Sequence, residues 1–593
     1  MIDPRSKVRD DTCASEPAVN GRAGFSGGEG RLGDLIARYW AGIVVVIIAL
    51  LLWAPRLSGP INLRWDASTY YVLGTALAEG KGYRLLNEPG EIEAVQYPPL
   101  LPLIVAAHQR MIGSSDYIKV GSALRITYFV LSTLFLLLVY SLAHKFLSQL
   151  CALLVAAITG LSYLSFLEIS DVLYAEIPFA LVTIGFLLCH EKGHRPFFAA
   201  LSASLGVAAY LLRTAGLALL LAWVTESLIR RRFQQATVRL AISAVPVLLW
   251  QVHVWRVTAS DDYHHPAYAY QRADYQYANV TYAKNGSLVD PFRPELGHVE
   301  LRDVGERILR NIASVPGALG RTAVIPQGFV PYLLGQVQQS LHFRLSSNSS
   351  ALLMNAFPIC MFAVGLFALA GSILVAAGRQ WFLPLYFTFT VAMIVITPFQ
   401  NQFWRYLAPV TPLTLTFFFI ALLSVRDWPR YFRWSRVGTE LVVAVPVTGI
   451  LLLQVILVIH LFQIMHPVRY YDAAGREHLY KLIEYGNEWQ ALDPTFEWIR
   501  RYAPSTAVIA TTVPHLAYLR TGHKAILPPF VPNPDTAGRL LDDVPVSYLV
   551  VDRFARPGVS ERYAAPVVAR KPKDWRLVFT APDRKTRVYE RTR

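Results

Sequence analysis

Three carboxylates stand where apolar segments of the chain begin or end, and these positions could carry chemistry. Asp66 follows Trp65 just beyond the first apolar segment, and Asp171 and Glu176 flank the start of a later one. A carboxylate at a membrane surface is partly desolvated, so its pKa can shift toward a value useful to a general base. Ionisable groups inside an apolar segment are costly and usually functional. The alternatives are a helix cap for Asp66 and ordinary interfacial carboxylates for Asp171 and Glu176.

Two arginines, Arg213 and Arg405, also stand at the ends of apolar segments. A guanidinium group binds phosphate through two parallel hydrogen bonds, which makes both residues candidates for binding a substrate phosphate. The alternative is that each side chain extends to a lipid phosphate at the membrane surface. Farther along, His264 and His265 lie among several tyrosines, but no third metal ligand follows at a clear spacing. The sequence therefore does not favour a metal site there.

The elements that must position these residues are membrane-spanning helices. The chain has 593 residues, of which 54% are hydrophobic and 16% are charged, whereas a soluble domain usually carries about a quarter charged residues. The apolar segments are long enough to cross the ~30 Å hydrocarbon core of a bilayer. The sequence predicts eleven spans, at residues 36–55, 120–142, 150–167, 173–190, 197–211, 214–229, 237–256, 352–377, 381–398, 405–424 and 438–462.

The basic residues predict the orientation of these spans. The net charge is +15, which in a soluble protein would suggest a nucleic-acid partner, but here Lys and Arg cluster in alternate short connections. Such clustering is typical of the cytoplasmic side, so no nucleic acid is expected. The predicted organisation is a disordered cytoplasmic tail (1–35), a membrane domain (36–465) with outer loops at 56–119 and 257–351, and an extracytoplasmic domain (466–593). Within the first loop, residues 100–112 are predicted to lie on the membrane surface.

The C-terminal region, 466–593, is predicted to be a small α/β or α+β domain. Residues 495–502 have a helical pattern, and residues 507–510, 547–552 and 576–580 resemble short strands. The region contains no recognisable nucleophile, metal-ligand cluster or glycine-rich phosphate loop. A structural or docking role is therefore favoured for it.

The order of these parts resembles the GT-C class of polyprenyl-phosphate-dependent glycosyltransferases, which includes the protein O-mannosyltransferases and the lipid A aminoarabinose transferases. The resemblance covers roughly residues 36–425. The motifs that carry it are Trp65-Asp66, Gly82-Tyr83, Tyr97-Pro98-Pro99, Tyr174-Ala175-Glu176-Ile177-Pro178, Arg213-Thr214-Ala215-Gly216 and Arg405-Tyr406-Leu407-Ala408-Pro409. Ala67 departs from the Asp-Glu pair of the protein O-mannosyltransferases, which argues against that branch.

The resemblance implies a helical membrane fold of the GT-C type that transfers a sugar at the outer face of the inner (plasma) membrane. It implies that Asp66 is the base that activates an acceptor hydroxyl, with Glu176 or Asp171 as a second acidic residue. Arg405, and less directly Arg213, would neutralise the leaving lipid phosphate. Further candidate substrate-binding residues in or beside the motifs are Tyr83, Tyr97, Trp404 and Lys81. The implied partners are a polyprenyl-phosphate-linked sugar donor and a lipid, glycan or protein acceptor.

Two other classes of function stay open at this point. A transporter or lipid flippase would show inverted repeats and charged residues at the centres of spans, whereas the charges here lie mostly at one end of the spans. A non-catalytic assembly factor would tolerate Asp66→Asn. No cofactor is indicated with certainty, although a divalent metal is possible because metal dependence varies within the GT-C class.

Overall fold

The computed structural model describes residues 29–325, 331, 335, 347–425, 436–472, 474–554 and 558–592. The tail at residues 1–28, most of the predicted tail 1–35, lies outside the described residues. Helices of eight or more residues are α1 (Glu29–Trp53), α2 (Asp66–Ala78), α3 (Leu100–Ile112), α4 (Tyr117–Ala143), α5 (Gln149–Leu161), α6 (Glu176–His190), α7 (Pro196–Leu212), α8 (Leu217–Ile229), α9 (Phe233–Thr258), α10 (Leu301–Ala323), α11 (Ser347–Ala377), α12 (Phe382–Val395), α13 (Thr411–Ser424), α14 (Arg436–Gln463), α15 (Leu492–Tyr502), α16 (Pro514–Thr521) and α17 (Pro534–Asp543).

The chain is a multi-pass membrane protein. Within the described residues, six helices are long and apolar enough to cross a membrane, and a bent pair, α5 with the segment Tyr163–Asp171, makes up to seven. The bend between the two parts of that pair is 64°. The predicted spans at 173–190, 197–211, 214–229 and 381–398 correspond to shorter apolar helices. The count of eleven spans is therefore not confirmed and stays a prediction.

The first polar connection contains two helices that pack closely on each other. One is α2, and the other, α3, is the predicted surface helix. It has 13 residues and is too short to cross a bilayer unaided. Gly74 of α2 faces Val105 of α3, and a β-carbon at Gly74 would lie 2.6 Å from Val105 Cβ. This close approach requires glycine and fixes α2, whose first residue is Asp66.

The helix α10 was not predicted from the sequence, which indicated only a loop over residues 257–351. The first half of α10 is polar, but its second half is buried among the membrane helices. Gly320 of α10 and Gly365 of α11 allow the two backbones to meet. A β-carbon at Gly320 would lie 1.9 Å from the Met361 carbonyl oxygen, and one at Gly365 would lie 1.9 Å from the Pro316 carbonyl oxygen. Small residues commonly permit such crossings between membrane helices.

The C-terminal part forms a small α/β unit, as the sequence predicted. A hairpin of β1 (His466–Tyr471) and β2 (Glu477–Leu482) precedes it. The sheet has the order β4-β3-β5-β7-β6 and contains β3 (Val508–Ala510), β4 (Lys524–Ile526), β5 (Tyr548–Val551), β6 (Trp575–Thr580) and β7 (Arg587–Arg591). The first three strands are parallel because α16 and α17 connect them. Sequence patterns indicated β3, β5, β6 and α15, whereas β4, β7 and the hairpin were not predicted.

Candidate active site

Asp66 is the first residue of α2, and its position is set by an unusual backbone conformation at Trp65. Trp65 has φ 51° and ψ −130°, outside the regions that residues other than glycine normally occupy. Such conformations cost about 1–3 kcal/mol and persist only where surrounding contacts impose them. The alternative interpretation of Asp66, as a helix cap, is not what the structure shows. Asp66 is inside the first turn of α2, and no side chain forms a capping hydrogen bond at this end of the helix.

Arg405 contacts two of the three candidate acidic residues at once. Its Nη1 donates to Asp66 Oδ2 at 2.8 Å, and its Nε donates to Glu176 Oε1. The guanidinium carbon also lies 4.0 Å from the centre of the Tyr174 ring. One cation thus holds together residues from three separate motifs.

Arg213 completes the charged cluster. Its Nη1 lies 2.6 Å from Glu176 Oε1, and Glu176 is fully buried between the two arginines. The cluster contains two guanidinium groups and two carboxylates, so its formal charges balance. Because Glu176 is enclosed while Asp66 retains 22% side-chain exposure, Asp66 is the carboxylate that a substrate can reach.

The cluster lies at one end of a cavity of about 530 Å³. Asp66, Arg213 and Arg405 line its charged part, together with the rings of Tyr70, Tyr97, Tyr282 and Tyr406. The remainder of the wall is largely apolar and includes Phe179, Leu212, Met393, Ile394, Ile396, Pro398 and Phe399. The cavity therefore suits a molecule with a polar head and an apolar tail.

Tyrosine rings lie beside Asp66 on the polar side of the cavity. The Tyr70 and Tyr97 ring centres are 5.0 Å apart, and those of Tyr97 and Tyr282 are 6.4 Å apart. Burial raises the pKa of both Tyr70 and Tyr97 well above its usual value. Their hydroxyl groups therefore stay protonated at neutral pH and can donate hydrogen bonds to a sugar or phosphate oxygen.

Asp171 belongs to a different buried cluster. Its Oδ1 lies 3.5 Å from Arg56 Nε and 3.4 Å from Arg125 Nη2, and its Oδ2 accepts from the Ile483 main-chain N–H at 3.3 Å. The residue does not line the cavity. Of the two candidates for the second acidic residue, the structure brings Glu176, and not Asp171, together with Asp66.

The remaining predicted substrate-binding residues are divided between the cavity wall and its surroundings. Tyr97 lines the cavity. Tyr83 does not line it but contacts Tyr97, because its hydroxyl group donates to the Tyr97 carbonyl oxygen at 2.8 Å. Trp404 is half-buried in the core beside Arg405 and is not part of the cavity wall. Lys81 is exposed and pairs with Glu79 at 3.0 Å, away from the cavity.

Sequence reasoning missed several contributors to the site. Tyr406 follows Arg405 within a quoted motif, and Tyr70 lies four residues after Asp66, so closeness in the sequence was a usable signal for both. Tyr282 comes from the tyrosine-rich connection, and nothing in the sequence pointed to the cavity. Arg64, two residues before Asp66, pairs with Glu168 at 2.7 Å, and no sequence motif indicated this contact.

The sequence leaves a divalent metal possible, and the described residues contain no preformed cluster of ligands for one. No group of three or more His, Cys, Asp or Glu side chains is suitably placed anywhere in the described part of the chain. At the cavity, both carboxylates are already paired with arginine, and a guanidinium group stands between them where a bridging cation would lie.

Comparison with known proteins identifies the fold. No protein-family model and no curated protein matches the chain. The Archaeoglobus fulgidus oligosaccharyltransferase in complex with Zn and sulfate has a TM-score of 0.51 and 15% sequence identity, with 93% of this chain and 73% of that chain covered. Its apo form has a TM-score of 0.50 and 15% identity, with 94% and 75% covered. ArnT from Cupriavidus metallidurans bound to undecaprenyl phosphate has a TM-score of 0.44 and 13% identity, with 92% and 97% covered. The likeness to the archaeal oligosaccharyltransferase shows that the chain has the GT-C fold, as its sequence motifs predicted.

Proposed function

We propose that this protein is a membrane glycosyltransferase that moves a sugar from a polyprenyl-phosphate donor to an acceptor hydroxyl. The reaction takes place at the end of the helix bundle where Asp66 lies, on the extracytoplasmic face of the inner membrane. The acceptor is a lipid, a glycan or a protein. The GT-C fold, shared with an oligosaccharyltransferase, is compatible with this chemistry.

One observation carries the proposal: a reachable carboxylate and two arginines share one end of a cavity whose other walls are largely apolar. Asp66 lies 2.8 Å from Arg405, and Arg213 contacts the same Glu176 oxygen as Arg405 does. The arginines suit the phosphate of a lipid-linked donor, and the apolar wall near Met393 suits the first prenyl units. The tyrosine rings beside Asp66 provide faces on which a sugar can stack.

In the proposed step, Asp66 accepts the proton of the acceptor hydroxyl. The acceptor oxygen forms a bond to the anomeric carbon of the donor while the bond from that carbon to the phosphate oxygen breaks, with inversion at the carbon. The electron pair of the broken bond leaves with the polyprenyl phosphate. Arg405 and Arg213 stabilise the negative charge that develops there, which is often the largest catalytic contribution.

Arg405 also links donor binding to the reactivity of Asp66. In the free protein its Nη1 donates to Asp66 Oδ2, so this oxygen is engaged before any acceptor binds. A donor phosphate that binds Arg405 competes for the same guanidinium and releases Asp66. Glu176 keeps Arg405 in place during this exchange through the contact at Nε.

The direct test is transfer of radiolabelled sugar from a panel of polyprenyl-phosphate donors by membranes that contain wild-type protein, Asp66→Asn or Glu79→Gln. The control residue, Glu79, follows the last turn of the same helix and is exposed at 42% of its side chain. We expect at least ~100-fold less transfer by Asp66→Asn, since general acid–base groups contribute about 10²–10⁴-fold. Transfer by Glu79→Gln should equal that of the wild type.

Equal transfer by Asp66→Asn and wild type would remove Asp66 as the base. If no donor in the panel supports transfer by the wild type while labelled lipid moves between leaflets of vesicles that contain it, the protein is a flippase and the proposal is wrong.

A further inference from the structure

We infer that the C-terminal domain is part of the catalytic apparatus, because it holds the two residues before Asp66 and thereby positions that carboxylate. Arg64 and Trp65 are positioning residues, and their partners are Glu484, Trp489 and Phe554. This inference rests on the proposed role of Asp66 as the base. It assigns a specific task to a domain that, from its sequence, has no chemistry of its own.

The aromatic part of this attachment is a closed triangle of rings, which we term the Trp65 clamp. The Trp65 ring centre lies 4.9 Å from that of Trp489 and 5.2 Å from that of Phe554. The Trp489 and Phe554 ring centres are 4.8 Å apart. Trp489 follows the β1–β2 hairpin, and Phe554 follows the carboxyl end of β5, so two separate parts of the domain converge on one side chain. These contacts explain how Trp65 keeps its positive φ.

The polar part of the attachment involves the neighbouring residue. Arg64 pairs with the carboxylate of Glu484 and with Glu168, and its Nη1 also lies 3.4 Å from the Glu484 carbonyl oxygen. Asn62 donates to the same carbonyl oxygen at 3.3 Å. Residues 62 and 64 are thus held by Glu484, and residue 65 is held by Trp489.

The domain also supports the body of α2. Tyr518 and Leu519 of α16 pack against a cluster of Val72, Ala76 and Leu86, of which the first two lie on one face of α2. The support therefore acts at the start of α2, where Asp66 lies, and along its side. Gly74 fixes the helix from the α3 side.

The position of Asp66 matters because catalysis by a fixed base depends on its distance to the proton it accepts. A misplacement of about 1 Å can cost on the order of 100-fold in rate. Without the Trp65 clamp, the backbone at Trp65 can relax to an ordinary conformation, which rotates the start of α2. None of the clamp residues lines the cavity, so their loss changes the placement of Asp66 without removing a cavity wall.

The test compares two tryptophans of the same domain. Trp489→Leu removes a ring of the clamp, whereas Trp498→Leu removes a ring that contacts Tyr502, Tyr548 and Phe579 within the domain. Glu484→Gln is a milder second variant, since this side chain is 36% exposed and its loss leaves no cavity. Each full-length variant is measured for kcat, for KM of the lipid-linked donor, and for hydrogen exchange of the amides at residues 66–70. Trp489→Phe tests rescue by another ring.

We expect Trp489→Leu to lower kcat by at least ~10-fold with little change in KM for the donor, and Trp489→Phe to recover most of the loss. Hydrogen exchange should be measured for each variant at the same interval below its own melting temperature. Under those conditions the amides at residues 66–70 should exchange faster in Trp489→Leu and Glu484→Gln than in Trp498→Leu. Equal kcat and equal exchange in the two leucine variants would overturn the inference. If the wild type transfers no sugar, the proposed function fails on its own, and the exchange data still decide whether the domain holds the start of α2.

Discussion

Arg405 Nη1 lies 2.8 Å from Asp66 Oδ2, although the two residues are 339 positions apart in the chain. The same guanidinium reaches Glu176 through a different nitrogen atom, Nε. A lysine ammonium is a compact charge on a flexible stem and cannot reproduce this two-directional contact. The Arg405 side chain therefore sets the distance between the reachable carboxylate of Asp66 and the enclosed carboxylate of Glu176.

Replacement of Arg405 by lysine should be more harmful than the same replacement at Arg213. We expect Arg405→Lys to reduce kcat by about 100-fold or more, the scale found when one stabilising donor is lost. Arg213→Lys should reduce it less, because Arg213 contacts Glu176 through a single nitrogen at 2.6 Å. Steady-state transfer with a fixed acceptor measures both variants, and an equal loss in the two would contradict the bridging role of Arg405.

Asp171→Asn and Glu176→Gln should separate stability from activity. Asp171 is the anion between two buried arginines outside the cavity, so its neutralisation should lower the free energy of unfolding by about 3–5 kcal/mol. The folded fraction should keep its kcat within a few-fold. Glu176→Gln should lower kcat strongly because Arg405 and Arg213 lose their common anchor. Melting temperatures and transfer rates in the same detergent check both; a larger kcat loss for Asp171→Asn would reverse the assignment.

The C-terminal domain should lose stability in mild acid because of His515. Burial lowers the pKa of His515 to about 3, whereas an unfolded histidine titrates near 6.5. Between these values the unfolded state binds more protons, so stability falls as the pH falls, by about 1.4 kcal/mol per pH unit. From pH 6.5 to pH 5 this amounts to roughly 2 kcal/mol. The measurement is the melting temperature as a function of pH. His515→Phe should make it depend less on pH, whereas His264→Gln, at an exposed position, should leave the dependence unchanged. Parallel profiles for the wild type and His515→Phe would contradict this role of His515.

Gly320→Ala and Gly365→Ala should destabilise the contact between α10 and α11. A β-carbon at either position would meet a carbonyl oxygen of the other helix at 1.9 Å, so the helices must separate. Overpacking of this kind typically costs about 1–3 kcal/mol. Gly449→Ala in α14 is the matched control, because nothing lies within 4 Å of its added carbon. Thermal unfolding in detergent provides the comparison, and equal melting temperatures for all three variants would rule out the close crossing.

Motif order was sufficient to predict the members of the charged cluster but not its pairing. Asp66, Glu176, Arg213 and Arg405 were all predicted as site residues because each stands at the end of an apolar segment. The choice between Asp171 and Glu176 was not possible from the sequence. Val172 is extended, with φ −110° and ψ 148°, so the chain bends between the two carboxylates and directs them into different clusters. Local patterns contain no signal for such a bend.

Long-range contacts and mixed-polarity helices were also beyond sequence reasoning. The pairing of Arg64 with Glu484 spans 420 positions and rests on the docking of two folded units. The helix α10 was missed because its first half is polar, which conceals Gly320, the residue that allows its second half to pack against α11. In contrast, β3, β5 and β6 were predictable because each is a short apolar run bounded by turn residues.

The contact between Arg64 and Glu484 has a consequence for the timing of biosynthesis. During translation Arg64 and Trp65 leave the ribosome about 420 residues before their partner, and most of the membrane helices are inserted in between. For all that interval the start of α2 lacks the Trp65 clamp. The backbone before Asp66 therefore acquires these contacts only after the C-terminal domain has been made.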